Sequence, residues 1–150
     1  MTDLNDIAAQ IKEGFEKDLE SGWEVSTQLF TDPIEIAHRP PESYDGPVDA
    51  TAAGDFKRST AIHFLKVPNF AYTYDVEAKG QQIIEVFHFN MEASGQPFVF
   101  KGILEYHFND EGKIEKMVGI DDPETLGLLR QAIAEAGPSM PSPWRDRPEA

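Results

Sequence analysis

The 150-residue chain has no cysteine. That excludes a disulfide framework, a thiolate metal site and a cysteine nucleophile. Basic charge is scarce: 13 lysines and arginines face 27 acids, for a formal net charge of −14. Nucleic-acid binders displace counterions with basic patches, and none is visible, so no nucleic-acid partner is expected. The same charge disfavours anionic membrane surfaces, and its plain role is solubility. Long apolar runs are missing too, with nothing near the roughly 20 residues of a membrane span. The start, MTDLNDIAAQIKEGF, is acidic and amphipathic and lacks the basic and apolar regions of a signal peptide. These absences predict a soluble cytoplasmic protein with no membrane partner. Gly-x-Gly-x-x-Gly and Walker loops are absent, so no nucleotide cofactor is expected. No nucleophile-elbow motif supports Ser/His/Asp catalysis. The four histidines show no His-x-x-x-His or similar spacing, so no metal site is expected.

What is present suits one domain, since a chain of this length buries roughly 70% of its unfolded surface. Leu4, Ile7, Ala8, Ile11, Phe15 and Leu19 recur at helical spacing and predict a helix over 4–20, with Asp3 as N-cap and Ser21-Gly22 as the stop. WEVSTQLF (23–30) reads as a short second helix ended by Asp32-Pro33, and IEIAH (34–38) as a brief strand. RPPESYDGP is too dense in turn residues for regular structure. A third helix is expected from about 50 to 66, with Ala52, Phe56, Ile62 and Leu65 as its apolar positions.

From Pro68 the period becomes two. Phe70, Tyr72, Tyr74 and Val76 alternate with smaller or polar residues. QQIIEVFHFNM and PFVFKGILEYHF are strands apolar on both faces, joined by the tight link ASGQ. GKIEKMVGI completes a meander after the turn at 109–112. A last helix is expected over 124–136. The proline-rich segment 138–150, with Trp144, reads as an appendage that folding does not need, apart from a domain at 1–137. Helices followed by antiparallel strands mean α+β, with the N-terminal helices packed on a strongly curved antiparallel sheet. Strands apolar on both faces need cover on both sides, which predicts a homodimer through sheet faces. A curved sheet wrapped around helices also makes a cavity.

This order of elements, carried by LFTDPIEIAHRPP with a downstream DGP, FLKVPNF, FNDEGKIEKMVGIDD and LGLLRQ, resembles the NTF2-like superfamily over roughly residues 1–136. Within it the chain is most similar to the SnoaL-like branch, named for a polyketide cyclase, and more distantly to ketosteroid isomerase. The resemblance implies an NTF2-like cone. It also implies a cofactor-independent acid–base enzyme acting on a small apolar molecule, of the isomerase, cyclase, dehydratase or hydratase type. The superfamily also holds non-catalytic members, so a small-molecule-binding or dimerisation domain is the alternative.

Two residues stand out as catalytic candidates. Asp122 shares strand parity with Ile114, Val118 and Ile120, which points it inward, and a carboxylate in an apolar cavity titrates nearer neutrality. The resemblance implies the acid–base aspartate of SnoaL-like cyclases at this position. Against that, Asp-Pro is a good cap for the helix that follows. His38 stands at the position of the general-base aspartate of ketosteroid isomerases, and imidazole can serve as that base; a packed or surface histidine is its ordinary role. Phe15 and Leu104 fall where those isomerases carry oxyanion donors, so that machinery does not carry over. The cyclases' longer, histidine-bearing insertion is here only ASGQ. The expected pocket lining is Phe15, Trp23, Tyr72, Tyr74, His88, Leu104, Tyr106 and Val118. For His88 the surface or dimer face suits as well, and for Tyr72 and Tyr74 a place in the core. Whether polar groups converge in one cavity decides between enzyme and binder.

Overall fold

The computed structural model describes residues 3–42, 45–55, 57, 67 and 69–136. The expected dispensable tail around Trp144, and the positions Phe56, Ile62 and Leu65, lie outside the described residues.

Helices α1 (Leu4–Lys17) and α2 (Leu19–Thr27) divide the expected first helix at Asp18. Asp18 has extended backbone, and its carboxylate accepts from Ser21 N–H at 2.7 Å. It thus stops α1 and caps α2, as short acidic side chains do. Asp3 caps α1 as expected, accepting from Asn5 N–H. Gly22 lets α2 close on α1, because a Cβ there would lie 2.0 Å from the Phe15 ring.

Six strands follow: β1 (Phe30–Arg39), β2 (Gly46–Val48), β3 (Ala71–Lys79), β4 (Gln82–Ala93), β5 (Gln96–Phe108) and β6 (Ile114–Asp121). They form one sheet in the order β2-β1-β6-β5-β4-β3. Three features differ from the sequence reading. Strand β1 runs from Phe30, the last residue of the expected second helix, to Arg39, beyond the expected 34–38. The sheet is mixed, because β1 runs parallel to β6. Turn residues predict irregular structure over 39–47, yet Gly46-Pro47-Val48 pairs with Ile34–Ile36. At that outer edge a proline gives up no central ladder bond. Residues 50–55 are helical, as expected for the start of the third helix. Helix α3 (Leu126–Ala136) packs its Leu126 and Ala132 into the core.

The inner face of the sheet carries Ile34, Ile36, Ile83, Phe89, Phe100 and Tyr106, all nearly inaccessible, against Ile7, Ile11, Phe15 and Trp23 of α1 and α2. The opposite face has Ile84, Val86, Ile103 and Ile120 only half-buried. Among the described residues no helix is long and apolar enough to cross a membrane.

Candidate functional site

One irregularity decides which side chains share the inner face. Ile114 pairs with Phe30 and Phe108, but the next pairings join Lys116 to His107 and to Glu35. One residue more is spent on β6 than on β5, so a bulge falls between Ile114 and Lys116. A bulge of one residue flips every later side chain to the other face. Ile114 and Met117 therefore both point inward, followed by Gly119 and Asp121. Val118, Ile120 and the parity of Asp122 belong to the outer face. The expectation that Asp122 points inward with Val118 is thus corrected: alternation was extended through the bulge.

With register fixed, one cross-strand row runs His38–Gly119–Leu104–Glu85–Val76 on the inner face. Gly119 is the only small residue in it. A Cβ there would meet the His38 ring at 3.0 Å, so the imidazole lies across this glycine toward Leu104. A neighbouring row runs Asp121–Gly102–Phe87–Tyr74. In it the Phe87 ring covers Gly102, at 2.1 Å from a Cβ built there.

At the deep end Glu85 is 0% exposed, and among the described residues neither carboxylate oxygen has a hydrogen-bond partner. Burial pushes its pKa up to about 7, with the Lys57 ammonium and then the Tyr106 hydroxyl pulling it back only partly. The Tyr106 hydroxyl lies near enough to that carboxylate to stabilise its charge, although the hydroxyl proton is directed at Ser26. Lys57, in the helical segment after β2, donates to Tyr106 Oη at 2.7 Å. Tyr106 donates to Ser26 Oγ at 3.1 Å, and Ser26 donates to the Trp23 carbonyl at 2.9 Å. The Lys57 nitrogen also lies 4.8, 5.5 and 5.9 Å from the ring centroids of Tyr106, Trp23 and Phe30. Burial lowers its pKa to about 8 against the opposing pull of Glu85. Trp23 Nε1 donates to Tyr74 Oη at 3.2 Å, and Tyr74 stacks on Phe15 with centroids 3.6 Å apart. Burial also drives the Tyr74 and Tyr106 hydroxyls well above their ordinary pKa.

At the other end of the row, His38 Nδ1 meets Asp45 Oδ1 at 2.6 Å, with both side chains about one-fifth exposed. Asp45 Oδ2 accepts from the His38 and Glu42 backbone N–H groups. Asp45 is thereby fixed as the orienter of the imidazole. Asp121 is half-buried beside it, its pKa raised by burial and drawn back first by His38. Arg130 of α3 pairs with Glu42, and both act on the Asp121 carboxyl.

The predicted residues separate accordingly. Phe15, Trp23, Tyr74, Leu104 and Tyr106 come together on the inner side, and His38 shares the cross-strand row of Leu104. Tyr72 is inward but donates to the Phe15 carbonyl at 2.8 Å, tying β3 to α1. His88 pairs with Thr73 and Lys101 on the outer face, so its pocket placement is corrected, as is that of Val118. Asp122 accepts from Glu124 N–H at 3.2 Å and Thr125 Oγ1 at 2.8 Å, and its carbonyl accepts from Leu126 N–H. It shapes the entry to α3, and the inward carboxylate at the strand end is Asp121.

Sequence reasoning missed Glu85, Lys57, Asp45 and Asp121. Glu85 had a signal, because it interrupts the inward series Ile83, Phe87, Phe89. Lys57 and Asp45 had none. Among the described residues no three His, Asp or Glu side chains cluster as metal ligands. A cleft of about 400 Å³ between α1 and β3, lined by Lys12, Phe15, Glu16, Tyr72, Thr73 and Tyr74, lies at the edge of the aromatic wall.

No known family profile matches the sequence, and no curated protein matches it. Solved structures do match. A putative polyketide cyclase from Acidithiobacillus ferrooxidans superposes at TM-score 0.57 with 17% identity, over 87% of this chain and 99% of that one. An NTF2-like protein of unknown function from Cytophaga hutchinsonii gives 0.55 and 16%, over 79% and 95%. The chain has the NTF2-like fold. A further match is an epoxide hydrolase/cyclase-like enzyme of pyran-ring formation in the polyether salinomycin, at 0.54 and 16%, over 83% and 96%.

Proposed function

We propose that this protein is a cytoplasmic, cofactor-independent acid–base enzyme acting on a small, largely apolar molecule, as an isomerase, cyclase, dehydratase or hydratase. One observation carries the reading: an oriented histidine and a buried carboxyl without hydrogen bonds share one row of the concave face, with only Gly119 and Leu104 between them. A buried carboxyl costs about 1–3 kcal/mol or more when left unpaired, and such groups concentrate at sites of chemistry. His38, donating Nδ1–H to Asp45, presents Nε2 as the base. Asp121 stabilises the imidazolium that forms. Glu85 in its acid form donates from the deep end to the opposite side of the substrate. Groups whose proton affinities straddle neutrality suit acid–base work. Of the expected catalytic pair, His38 stays in this reading. Asp122 leaves it, because its carboxylate is committed to the turn before α3.

A non-catalytic binding or dimerisation domain is the second reading, favoured by the apolar Leu104 and Phe15 at positions where isomerases place oxyanion donors. Deuterium uptake from D2O into small cyclic ketones, and turnover of small epoxides, followed by NMR, separates the two. The enzyme reading expects at least one to react, with His38→Ala slowing it tenfold or more. Saturable binding without exchange or turnover would decide for the binding domain.

The homodimer belongs to the same reading. On the outer face the row Asp75–Val86–Ile103–Ile120–Arg39 is acidic at one end, apolar in the middle and basic at the other. Two copies related by a twofold axis would match Asp75 to Arg39 over the apolar centre.

A further inference from the structure

We propose that Lys57 is a nucleophile that captures the carbonyl carbon of a small, apolar aldehyde or ketone as an imine, with Glu85 moving the protons. This rests on the reading that a small molecule enters the concave face, and adds a covalent step to it.

The geometry differs from that of a lysine kept for structure. Buried lysines are ordinarily closed into contact ion pairs. Here Lys57 and Glu85 lie in one buried nest, close enough for each to shift the other, yet neither Glu85 oxygen is hydrogen-bonded. The nitrogen is held by the Tyr106 hydroxyl instead. In this arrangement that hydroxyl accepts from Lys57 while its own proton goes to Ser26 and the Ser26 proton to the Trp23 carbonyl. The chain of donors thus fixes the amine without consuming its lone pair. Three aromatic faces surround it. They favour the ammonium form, but burial outweighs them and brings the pKa down to about 8. A desolvated lysine of this kind is an activated nucleophile.

The step balances without an oxidant or reductant. The neutral Lys57 nitrogen adds to the carbonyl carbon, and the C=O π pair moves to oxygen, which takes the proton of the Glu85 acid. The added nitrogen returns a proton to the Glu85 carboxylate. Glu85 then protonates the carbinolamine hydroxyl, which leaves as water as the nitrogen lone pair forms C=N, and the iminium N–H returns that proton to the Glu85 carboxylate. The net change is amine plus carbonyl giving imine plus water.

The test uses the full chain with cyclohexanone or benzaldehyde and sodium cyanoborohydride near pH 7, read by intact mass and peptide mapping, with binding followed separately by saturation-transfer NMR. The expected result is a reduced adduct on Lys57 at least tenfold above that on any exposed lysine such as Lys12, Lys79 or Lys101. In Glu85→Gln, binding should persist and adduct formation should slow at least tenfold. Saturable binding with Lys57 unmodified would overturn the imine and leave the concave-face site standing. Neither binding nor adduct would overturn both.

Discussion

A carboxyl in the position of Glu85 destabilises the fold whenever it is charged. Its folded pKa of about 7 lies above the ordinary 4.5. The native state therefore holds a proton, between those pH values, that the unfolded chain has released. Glu85's contribution is full below about pH 4.5 and is lost as pH rises to about 7. Lys57 mirrors this: its folded pKa of about 8 lies below 10.5, so stability recovers as pH climbs from the first value to the second. Facing Glu85 are Lys57, Tyr106 and Tyr74, so the values belong to the group jointly. Removing the carboxyl should flatten the curve. Urea unfolding of Glu85→Gln should show less loss of stability than the wild type between pH 5 and 7, by at most about 3 kcal/mol. Parallel curves for the two proteins would contradict the assignment. Asp122 should behave as a turn residue. Asp122→Asn should keep stability within about 0.5 kcal/mol, and Asp122→Ala should lose about 1 kcal/mol, since Asn and Asp cap alike. Loss of ligand binding in Asp122→Asn would restore it to the site.

At the scale of elements, the periodicities of two and 3.6 were legible because one face of each strand and helix is buried. Phe70 to Val76 and Leu4 to Phe15 show this plainly. What could not be read were interruptions made by single residues. Asp18 breaks a pattern whose apolar positions run on from Phe15 to Leu19, and a bulge after Ile114 reverses the faces of β6. A sequence records no register, so parity counted from Ile114 points Asp122 inward, whereas the bulge gives that place to Asp121. Asp45 and Lys57 reach the site by tertiary contacts alone, which no local pattern encodes. Close approaches leave a mark only as glycines. Gly102 is one, since a side chain there would collide with the Phe87 ring. Gly102→Ala must push that ring off Tyr74 and Phe89, and a loss of about 1–3 kcal/mol in urea unfolding is expected, as for other overpacked cores. Unchanged stability would show that Phe87 can swing aside freely.

At the scale of the whole molecule, the sheet packs one face on two helices and holds the polar nest there, while Val86, Ile103 and Ile120 on the other face are half-buried among the described residues. These three form the apolar centre of that outer face. Light scattering should give twice the 16.8 kDa of one chain at micromolar concentration, and Ile103→Asp should reduce it to one. A monomeric wild type would sink the dimer. The inner face carries the central claim, that a buried acid and an oriented histidine face one small-molecule site. The carboxyl 13C resonance of Glu85, titrated by NMR with and without cyclohexanone, tests it most directly. The midpoint should lie at about 7, and the ketone should shift the resonance. A midpoint near 4.5, indifferent to the ketone, would contradict the account.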